Sequence, residues 1–368
     1  MNRSFDYVVG TGGIGTGILF LLEGEHPLQK NESRPALLTD FQDSCKLHII
    51  LHYVAKLIGS SIPVYPISRV GDDDAGRKGR RQMQDVGMDT RFVQTDPALK
   101  TLFSVCFQYP DGQGGNLTTS NSACAAVTPA DIDSFFAWQD QDARGLVLAA
   151  PEVSAATRIH LLRRGKEHRC YTAASILAGE AEYFIQGGHF ADLDLLAINA
   201  DEAKAILQAA RIDSDRADFA EVCAQYLYRQ YPHLSSIITL GSRGAISCSQ
   251  GRIERIQSGS RVPVNTAGAG DCFLGVVLAA LAHEVPLQNN MRQAQDASGV
   301  PGLPGAELAM GSTTETVCTA PQLARIAAEI KIQCKDTIHF GISAATIRQE
   351  IQDLGLKMSD PVRKMLGG

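Results

Sequence analysis

The sequence predicts an α/β protein with a doubly wound, mostly parallel sheet flanked by helices and a small β-sheet lid. Short β-type runs alternate with helical segments along most of the 368 residues, a pattern typical of a parallel sheet covered by helices. Several of these runs are almost entirely apolar, as expected for strands buried on both faces. A hydrophobic content of 44% is sufficient for a large core.

Each element is predicted by its own run of residues. The predicted strands are, in chain order, FDYVVG (5–10), SIPVYPIS (61–68), GLVLAA (145–150), HRCYTAAS (168–175), LDLLAIN (193–199) and SSIITLG (235–241). The predicted helices span residues 46–57, 76–86, 200–210, 219–229 and 269–282. Strands and helices therefore alternate as βαβ units require.

Two stretches interrupt the alternation and predict the lid. Residues 14–22 and 101–123 are β-type, and Pro110-Asp111-Gly112 predicts a turn within the second stretch. We expect one main domain over residues 1–330, with the lid from about 11–24 and 100–124. A C-terminal helical extension over 331–368 should follow, with Ser343 as an N-cap.

Composition excludes several classes of function. A net charge of -6 and a pI of about 5.9 favour neither nucleic acid nor an anionic membrane surface as a partner. The nine cysteines are odd in number and form no C-x-x-C pair, which favours reduced thiols over a disulfide framework. No run of about 20 apolar residues could span a bilayer. We expect a cytoplasmic protein.

A glycine-rich motif follows the first strand and raises the alternative of a dehydrogenase. Residues 10–15, GTGGIG, satisfy the dinucleotide pattern G-x-G-x-x-G. That fold requires a full helix after the glycines and an acid about 20 residues further on. Here only the β-type TGILFLLEG precedes Pro27. The motif therefore favours a strand that twists out of the sheet.

The main chemical signal is NTAGAGDCF, residues 265–273, followed by an apolar helix. Gly268, Ala269 and Gly270 leave backbone N–H groups bare at a helix start, where the helix dipole also favours an anion. Asp271 is then placed beside a bound phosphate, where it can accept a proton from an attacking hydroxyl. The structural alternative is an ordinary capping aspartate.

Two strand ends predict further parts of a nucleotide site. TLGSRG places Thr239, Gly241 and Gly244 where a nucleotide could lie against the backbone. NADE places Asn199 and Glu202 three residues apart at a helix start, where they could order the water shell of a phosphate-bound Mg²⁺. The structural alternative for this pair is a helix cap.

At this point the chain resembles the PfkB/ribokinase family of carbohydrate and nucleoside kinases, over roughly residues 5–330. NTAGAGDCF resembles the family's D-T-x-G-A-G-D-x-F signature, NADE its N-x-x-E motif and TLGSRG its T-L-G-x-x-G. Residues 69–90 (RVGDDDAGRKGRRQMQDVGMDT) are similar to its V-G-x-D-x-x-G segment, and residues 101–132 resemble the second half of the lid.

The resemblance implies transfer of the ATP γ-phosphate to the alcohol of a small acceptor. It implies that Asp271 is the base, that the N–H groups from Ala267 to Gly270 bind the phosphate, and that Asn199 and Glu202 act on Mg²⁺. It further implies that Glu152 lies near the acceptor. Lids of this family often pair, which implies a homodimer.

The departures from the family pattern concentrate on the acceptor side. Gly15 stands where typical sugar kinases carry an acid, and DSCKLHIILHYVAKLIG (43–59) replaces the usual G-G-x-x-x-N. Asp43, Lys46 and His48 could form a rebuilt acceptor site. Alternatively, Cys45, His48 and His52 share one helical face and could bind a metal, or the helix is simply amphipathic.

Two further consequences follow from these departures. Asn265 replaces an aspartate that helps to hold a monovalent cation in cation-activated members, so the resemblance does not imply K⁺ dependence for this chain and leaves it open. The altered acceptor motifs also leave a second hypothesis, a non-catalytic member that binds a nucleotide or metabolite. The retained Asp271 favours catalysis, because a pure binder needs no base there.

Overall fold

The structure is a computed structural model that describes residues 5–111, 114–289 and 316–367. The described residues form sixteen strands: β1 (Tyr7–Thr11), β2 (Gly15–Leu22), β3 (Ala36–Leu38), β4 (Asp43–Ser44), β5 (Val64–Gly71), β6 (Val93–Asp96), β7 (Leu102–Gln108), β8 (Gly114–Thr118), β9 (Gly145–Ala149), β10 (Tyr171–Ala174), β11 (Leu195–Asn199), β12 (Ser235–Thr239), β13 (Ala245–Ser249), β14 (Arg252–Ile256), β15 (Thr316–Val317) and β16 (Lys357–Met358).

Nine of these strands form the central sheet, in the order β14-β13-β12-β11-β10-β9-β1-β5-β6. The pairs from β6 to β12 are parallel, and β13 and β14 add an antiparallel edge. The first strand lies inside the sheet, third from the β6 edge, and the chain builds outward from it in both directions. This is the doubly wound, mostly parallel arrangement that the alternation of runs predicts.

Helices cover both faces of this sheet. The described helices are α1 (Lys46–Ile58), α2 (Asp74–Asp85), α3 (Pro129–Trp138), α4 (Ala155–Glu167), α5 (Ala181–Gln186), α6 (Ala200–Ala209), α7 (Phe219–Gln230), α8 (Ala269–Ala282), α9 (Ala320–Lys331), α10 (Ala344–Asp353) and α11 (Asp360–Met365). No helix among the described residues is both long and apolar enough to cross a bilayer.

Helix α8 is largely buried, and its apolar sequence lies between α1 and α9. Gly275 allows the close approach of α1, because a Cβ there would lie 2.6 Å from the Ile50 carbonyl oxygen. The C-terminal segment packs into the same core, to which Ile347, Ile351 and Val362 contribute. Ser343 caps α10 as predicted, since its Oγ accepts a hydrogen bond from the Thr346 N–H.

A second, smaller sheet forms the lid, in the order β3-β2-β7-β8, with β4 paired to β2. Strands β2 and β7 are parallel, and β7 and β8 are antiparallel. The predicted strand over 14–22 is therefore β2, and the region 101–123 contains β7 and β8. Gly112, in the predicted turn, lies outside the described residues.

Candidate active site

A cavity of about 650 Å³ opens at the carboxyl ends of β11 and β12 and at the N-terminus of α8. Ligands of open α/β sheets bind at this edge. Ten of the predicted site residues line it: Lys46, Asn199, Glu202, Thr239, Gly241, Gly244, Gly268, Ala269, Gly270 and Asp271. The cavity therefore brings together predicted site residues from four separate segments of the chain.

The loop before α8 presents bare N–H groups to this cavity. Gly268 is the N-cap and has φ 77, and a Cβ there would lie 2.5 Å from the Thr337 carbonyl oxygen. Glycine is therefore required for both its conformation and its space. In the described part of the chain, the N–H groups of Gly268, Gly270 and Asp271 have no hydrogen-bond acceptor.

Two members of the predicted anion hole need correction. The Ala267 N–H donates to the Asn265 Oδ1 at 2.9 Å, and the Ala269 N–H donates to the Thr266 carbonyl at 3.1 Å. Ala267 also does not line the cavity, whereas Ala269 does. An asparagine side chain commonly binds the N–H two residues further on, so the free donors are those of Gly268, Gly270 and Asp271.

Asp271 lies in the first turn of α8 and shares the cavity with Lys46. Burial raises the pKa of the Asp271 carboxyl, although the charge of Lys46 opposes the shift. Burial would lower the pKa of Lys46, but the charges of Asp271, Glu202 and Glu152 outweigh that effect, and its pKa is raised. Lys46 is therefore the central cation of a carboxylate cluster.

Asn199 and Glu202 form a capping box at the start of α6. The Asn199 Oδ1 accepts from the Glu202 N–H at 2.9 Å, and the Glu202 Oε2 accepts from the Asn199 N–H at 2.8 Å. The second oxygen, Oε1, lies 3.6 Å from the Lys46 Nζ. The capping alternative is thus observed, and it leaves one carboxylate oxygen directed at the cavity.

The opposite wall of the cavity is formed by backbone. Thr239 ends β12, and its Oγ1 donates to the Ile198 carbonyl at 3.4 Å. Gly241 has φ 59 and Gly244 has φ 85. A Cβ on Gly244 would lie 1.9 Å from the Ile256 carbonyl oxygen, so only glycine fits there.

Glu152 follows β9 and packs against Gly13; it does not line the cavity, but it is electrostatically coupled to Lys46 and Asp271, which do. Its backbone is left-handed, with φ 78, a strained conformation for a non-glycine residue. Burial raises its pKa to about 7, Lys46 opposes the shift, and Asp271 and Asp43 add to it. Its Oε2 has no hydrogen-bond partner among the described residues.

Asp43 belongs to the lid, where β4 pairs with β2 opposite Gly17. Its Oδ2 accepts a hydrogen bond from the Ser104 Oγ at 2.6 Å. Burial raises its pKa, and its charge raises the pKa of Asp271 and Glu152. Asp43 does not line the main cavity, but its charge is coupled to the carboxyl groups of Asp271, which lines the cavity, and Glu152.

His48 is a predicted site residue that the structure places away from the cavity. It is 1% exposed, does not line the cavity, and neither ring nitrogen has a partner among the described residues. Residues two apart on a helix point in nearly opposite directions, so His48 points away when Lys46 faces the cavity. Burial lowers its pKa to about 3, so the ring is neutral.

The alternative metal site on this helix also finds no support. His52 lies on the same face as His48, and its ring packs 5.1 Å from that of Phe340, edge to face. Within residues 5–111, 114–289 and 316–367, no three or more histidine, cysteine or acidic side chains are placed to hold a metal ion. The face is instead covered by the C-terminal segment.

Sequence patterns did not single out two charged residues of α9 that line the cavity. The Arg325 Nη1 lies 2.9 Å from the Glu329 Oε1, which also accepts the Gly259 N–H at 2.6 Å. A Cβ on Gly259 would lie 2.4 Å from the Glu329 Oε2. The T-A-P-Q capping box at 319–322 could have revealed the helix, but not its place beside the cavity.

The fold and this site define a class: phosphotransferases that bind a nucleotide at the sheet edge and an acceptor beneath a lid. A model described as pfkB family carbohydrate kinase matches residues 50–300. A fructokinase of Klebsiella pneumoniae is 27% identical over 231 residues, covering 60% of this chain and 72% of the relative. The chain belongs to the pfkB family of carbohydrate kinases, which use ATP, and it is a phosphotransferase with an alcohol group as acceptor.

Solved structures agree on the fold. A ribokinase from Giardia lamblia superposes with a TM-score of 0.72 at 16% identity, covering 94% of this chain and 99% of that one. A ribokinase from Cryptococcus neoformans var. grubii, in complex with ADP, superposes with a TM-score of 0.68 at 15% identity, also covering 94% and 99%. The sequence resemblance to the PfkB/ribokinase family is therefore confirmed.

Proposed function

We propose that this protein transfers the γ-phosphate of ATP to a hydroxyl of a sugar or sugar-like small molecule, with Asp271 as the base. The observation that carries the proposal is that Asp271 and the unpaired N–H groups of Gly268 and Gly270 line one cavity. A base and an anion hole on adjacent residues suit a reaction in which a hydroxyl attacks a phosphoryl group.

In the proposed reaction, each bond that forms is matched by one that breaks, and the proton released has an acceptor. The Asp271 carboxylate accepts the acceptor's hydroxyl proton as the acceptor oxygen forms a bond to the γ-phosphorus. The bond from that phosphorus to the β–γ bridging oxygen breaks, and ADP leaves. Negative charge on the transferred group is stabilised by the N–H groups of Gly268 and Gly270 and by the dipole of α8.

Nucleotide and Mg²⁺ occupy the other half of the cavity in this proposal. Thr239, Gly241 and Gly244 line the nucleotide, which lies against the backbone wall at the end of β12. Asn199 and Glu202 act on the water shell of the Mg²⁺ that accompanies ATP. The Oε1 of Glu202, which lies beside the Lys46 ammonium in the cavity, supports this role, because only the other oxygen is engaged by the helix cap.

The acceptor side carries more acids than bases. Asp43, Glu152 and Asp271 are coupled there, and Lys46 is the cation that faces them. Carboxylates that accept hydrogen bonds suit a neutral polyhydroxyl acceptor, whereas a phosphorylated or acidic acceptor would be repelled. Lys46, Asp43 and Glu152 thus form the proposed acceptor site, without His48. We expect ribose and fructose to be poor substrates, because the usual acid at Gly15 is absent.

The proposal is tested by a screen for acceptor-dependent ADP release. The purified protein is incubated with Mg-ATP and single sugars, sugar alcohols or nucleosides, and ADP is measured by a coupled assay. Asp271→Asn controls for contaminating kinases, and Asp74→Asn, a first-turn aspartate on α2 with an exposed side chain, controls for the substitution. ATP binding without turnover of any acceptor would support the non-catalytic alternative instead.

The lid supports a second proposal, a homodimer formed through its outer face. The strand register places seven apolar side chains on one face of the lid: Ile18, Phe20, Leu38, Phe103, Val105, Phe107 and Leu117. Leu117 is 69% exposed and Leu38 is 56% exposed. A second copy of the same face would remove this apolar surface from water.

A further inference from the structure

A lysine that forms no part of the proposed chemistry lies directly behind the anion hole. Lys331 is the last residue of α9, and it is 0% exposed. Its ammonium donates to the Asn265 carbonyl oxygen at 3.2 Å and also to the Ala267 carbonyl oxygen. It forms no ion pair with a carboxylate of the described residues. A buried charge without a counter-ion is costly unless polar groups solvate it. The two carbonyl groups therefore stabilise the Lys331 ammonium in place of a counter-ion.

The two carbonyls belong to the peptide groups that support the cavity. A trans peptide group is planar, with its C=O and N–H on opposite sides. The carbonyl of Ala267 is therefore the far end of the group whose N–H belongs to Gly268. In the same way, the carbonyl of Asn265 is paired with the N–H of Thr266. Thr266 and Gly268 both line the cavity, and neither N–H has an acceptor in the described part of the chain.

The ammonium therefore determines where these N–H groups point. By attracting both carbonyl oxygens away from the cavity, it turns the N–H groups of Thr266 and Gly268 toward it. Its charge also polarises each peptide group, which makes the N–H a stronger donor to an anion. Two rigid donors then face the phosphoryl group before it binds, the arrangement that lowers the cost of stabilising developing charge.

Asn265 is suited to a loop that already contains a cation. Its Oδ1 accepts the Ala267 N–H at 2.9 Å, and its Nδ2 donates to the Lys335 carbonyl at 2.6 Å. A carboxylate could not donate the second bond. The neutral side chain ties the loop to the segment after α9 and adds no negative charge that would attract a free cation.

We propose that Lys331 is a positioning residue that serves as the built-in cation of the anion hole, so that the site works without a free monovalent ion. The inference rests on the proposed function, in which this loop binds the phosphoryl groups of the nucleotide. Nucleotide binding by the wild type should then be indifferent to the nature of the monovalent cation.

The test measures ADP affinity by titration calorimetry in KCl, NaCl, NH₄Cl or choline chloride at constant ionic strength. For the wild type we expect the same affinity in all four salts. Lys331→Ala should bind ADP about 10- to 100-fold more weakly in choline, the effect of losing charged hydrogen bonds. Affinity should recover in NH₄⁺ or K⁺, which can enter the space left by the side chain. Lys331→Met, which fills that space, should not recover.

Lys335→Met is the matched control. The Lys335 side chain is exposed, and among the described residues it pairs with Asp40 alone. The ADP affinity of this variant should equal that of the wild type. A wild-type affinity that rises selectively in K⁺ would overturn the inference, as would a Lys331→Ala protein with unchanged ADP binding.

The melting temperature of the ligand-free wild type in the same salts provides a second readout that requires no variant. Selective stabilisation by K⁺ would contradict a resident ammonium. Failure to phosphorylate any acceptor, with ADP binding as expected, would instead count against the proposed function alone.

Discussion

Replacing Glu152 by glutamine should change how the stability of the protein depends on pH. Burial raises the pKa of this carboxyl from 4.5 to about 7. A folded-state pKa above the unfolded value means that the folded protein holds the proton more tightly. The carboxyl therefore costs no stability below about pH 4.5, and the cost grows as the pH rises to about 7 and then stays constant.

The magnitude follows from the size of the shift. About 2.5 pH units at about 1.36 kcal/mol each give an upper value on the order of 3 kcal/mol for ionising Glu152 in its folded site. Lys46 faces the carboxyl and reduces the cost, whereas Asp271 and Asp43 increase it. Glutamine carries no charge at any pH, so Glu152→Gln removes this dependence.

The assay is urea unfolding of both proteins at several pH values from about 5 to about 8. The difference in the free energy of unfolding between Glu152→Gln and wild type should shift in favour of the variant by about 2–3 kcal/mol over this range. Glu182→Gln, at an exposed position on α5, should show no such shift. Parallel curves for wild type and Glu152→Gln would refute the argument that the folded protein holds this proton tightly near neutral pH.

Three further outcomes are expected. Asp271→Asn should lower kcat by about 10²–10⁴-fold in the coupled ADP assay while ADP affinity persists, because a placed base contributes about that much; near-normal turnover would remove Asp271 from the mechanism. Glu202→Gln should raise the Mg²⁺ concentration for half-maximal rate by about 10–100-fold, and superimposed Mg²⁺ titrations of the two forms would exclude this role. Leu117→Asp should convert a dimer to a monomer in light scattering after size exclusion, since a charge on the apolar lid face opposes its burial; an unchanged mass would place the interface elsewhere or show that the wild type is a monomer.

The central elements could be predicted from the sequence because their patterns are local. Helix α8 spans Ala269–Ala282 in the structure, as predicted, because a glycine loop marks its start and an apolar run defines its length. Strands β9 and β11 lie within their predicted runs, and β1 extends one residue past its run, because strands buried on both faces are continuously apolar. The antiparallel edge strands β13 and β14 are mixed in polarity and were not predicted.

Helical periodicity alone shows that Lys46 and His48 cannot both face one cavity, but which of the two faces it depends on a distant part of the chain. Helical periodicity places His48 and His52 on one face, whereas Cys45 is the extended N-cap and precedes the helix. Periodicity does not say what covers that face, and Phe340, nearly three hundred residues away, packs against His52. By contrast, the engagement of the Ala267 N–H is local, and the tendency of asparagine to bind two residues ahead would have predicted it.

The glycine-rich segment over residues 10–17 has a role that neither the dinucleotide pattern nor the absence of an acid at Gly15 explains. A Cβ on Gly13 would lie 2.3 Å from the Glu152 Oε2, and one on Gly17 would lie 2.6 Å from the Asp43 Oδ2. Neither distance is compatible with a side chain, so each glycine leaves the space that a carboxylate from another segment occupies. The chain lacks an acid at Gly15, but Glu152 lies against Gly13 just before β2, and Asp43 lies against Gly17 within β2. The proposed acceptor site thus retains carboxylates, and these come from a lid strand and a strand end instead of from the first lid strand itself.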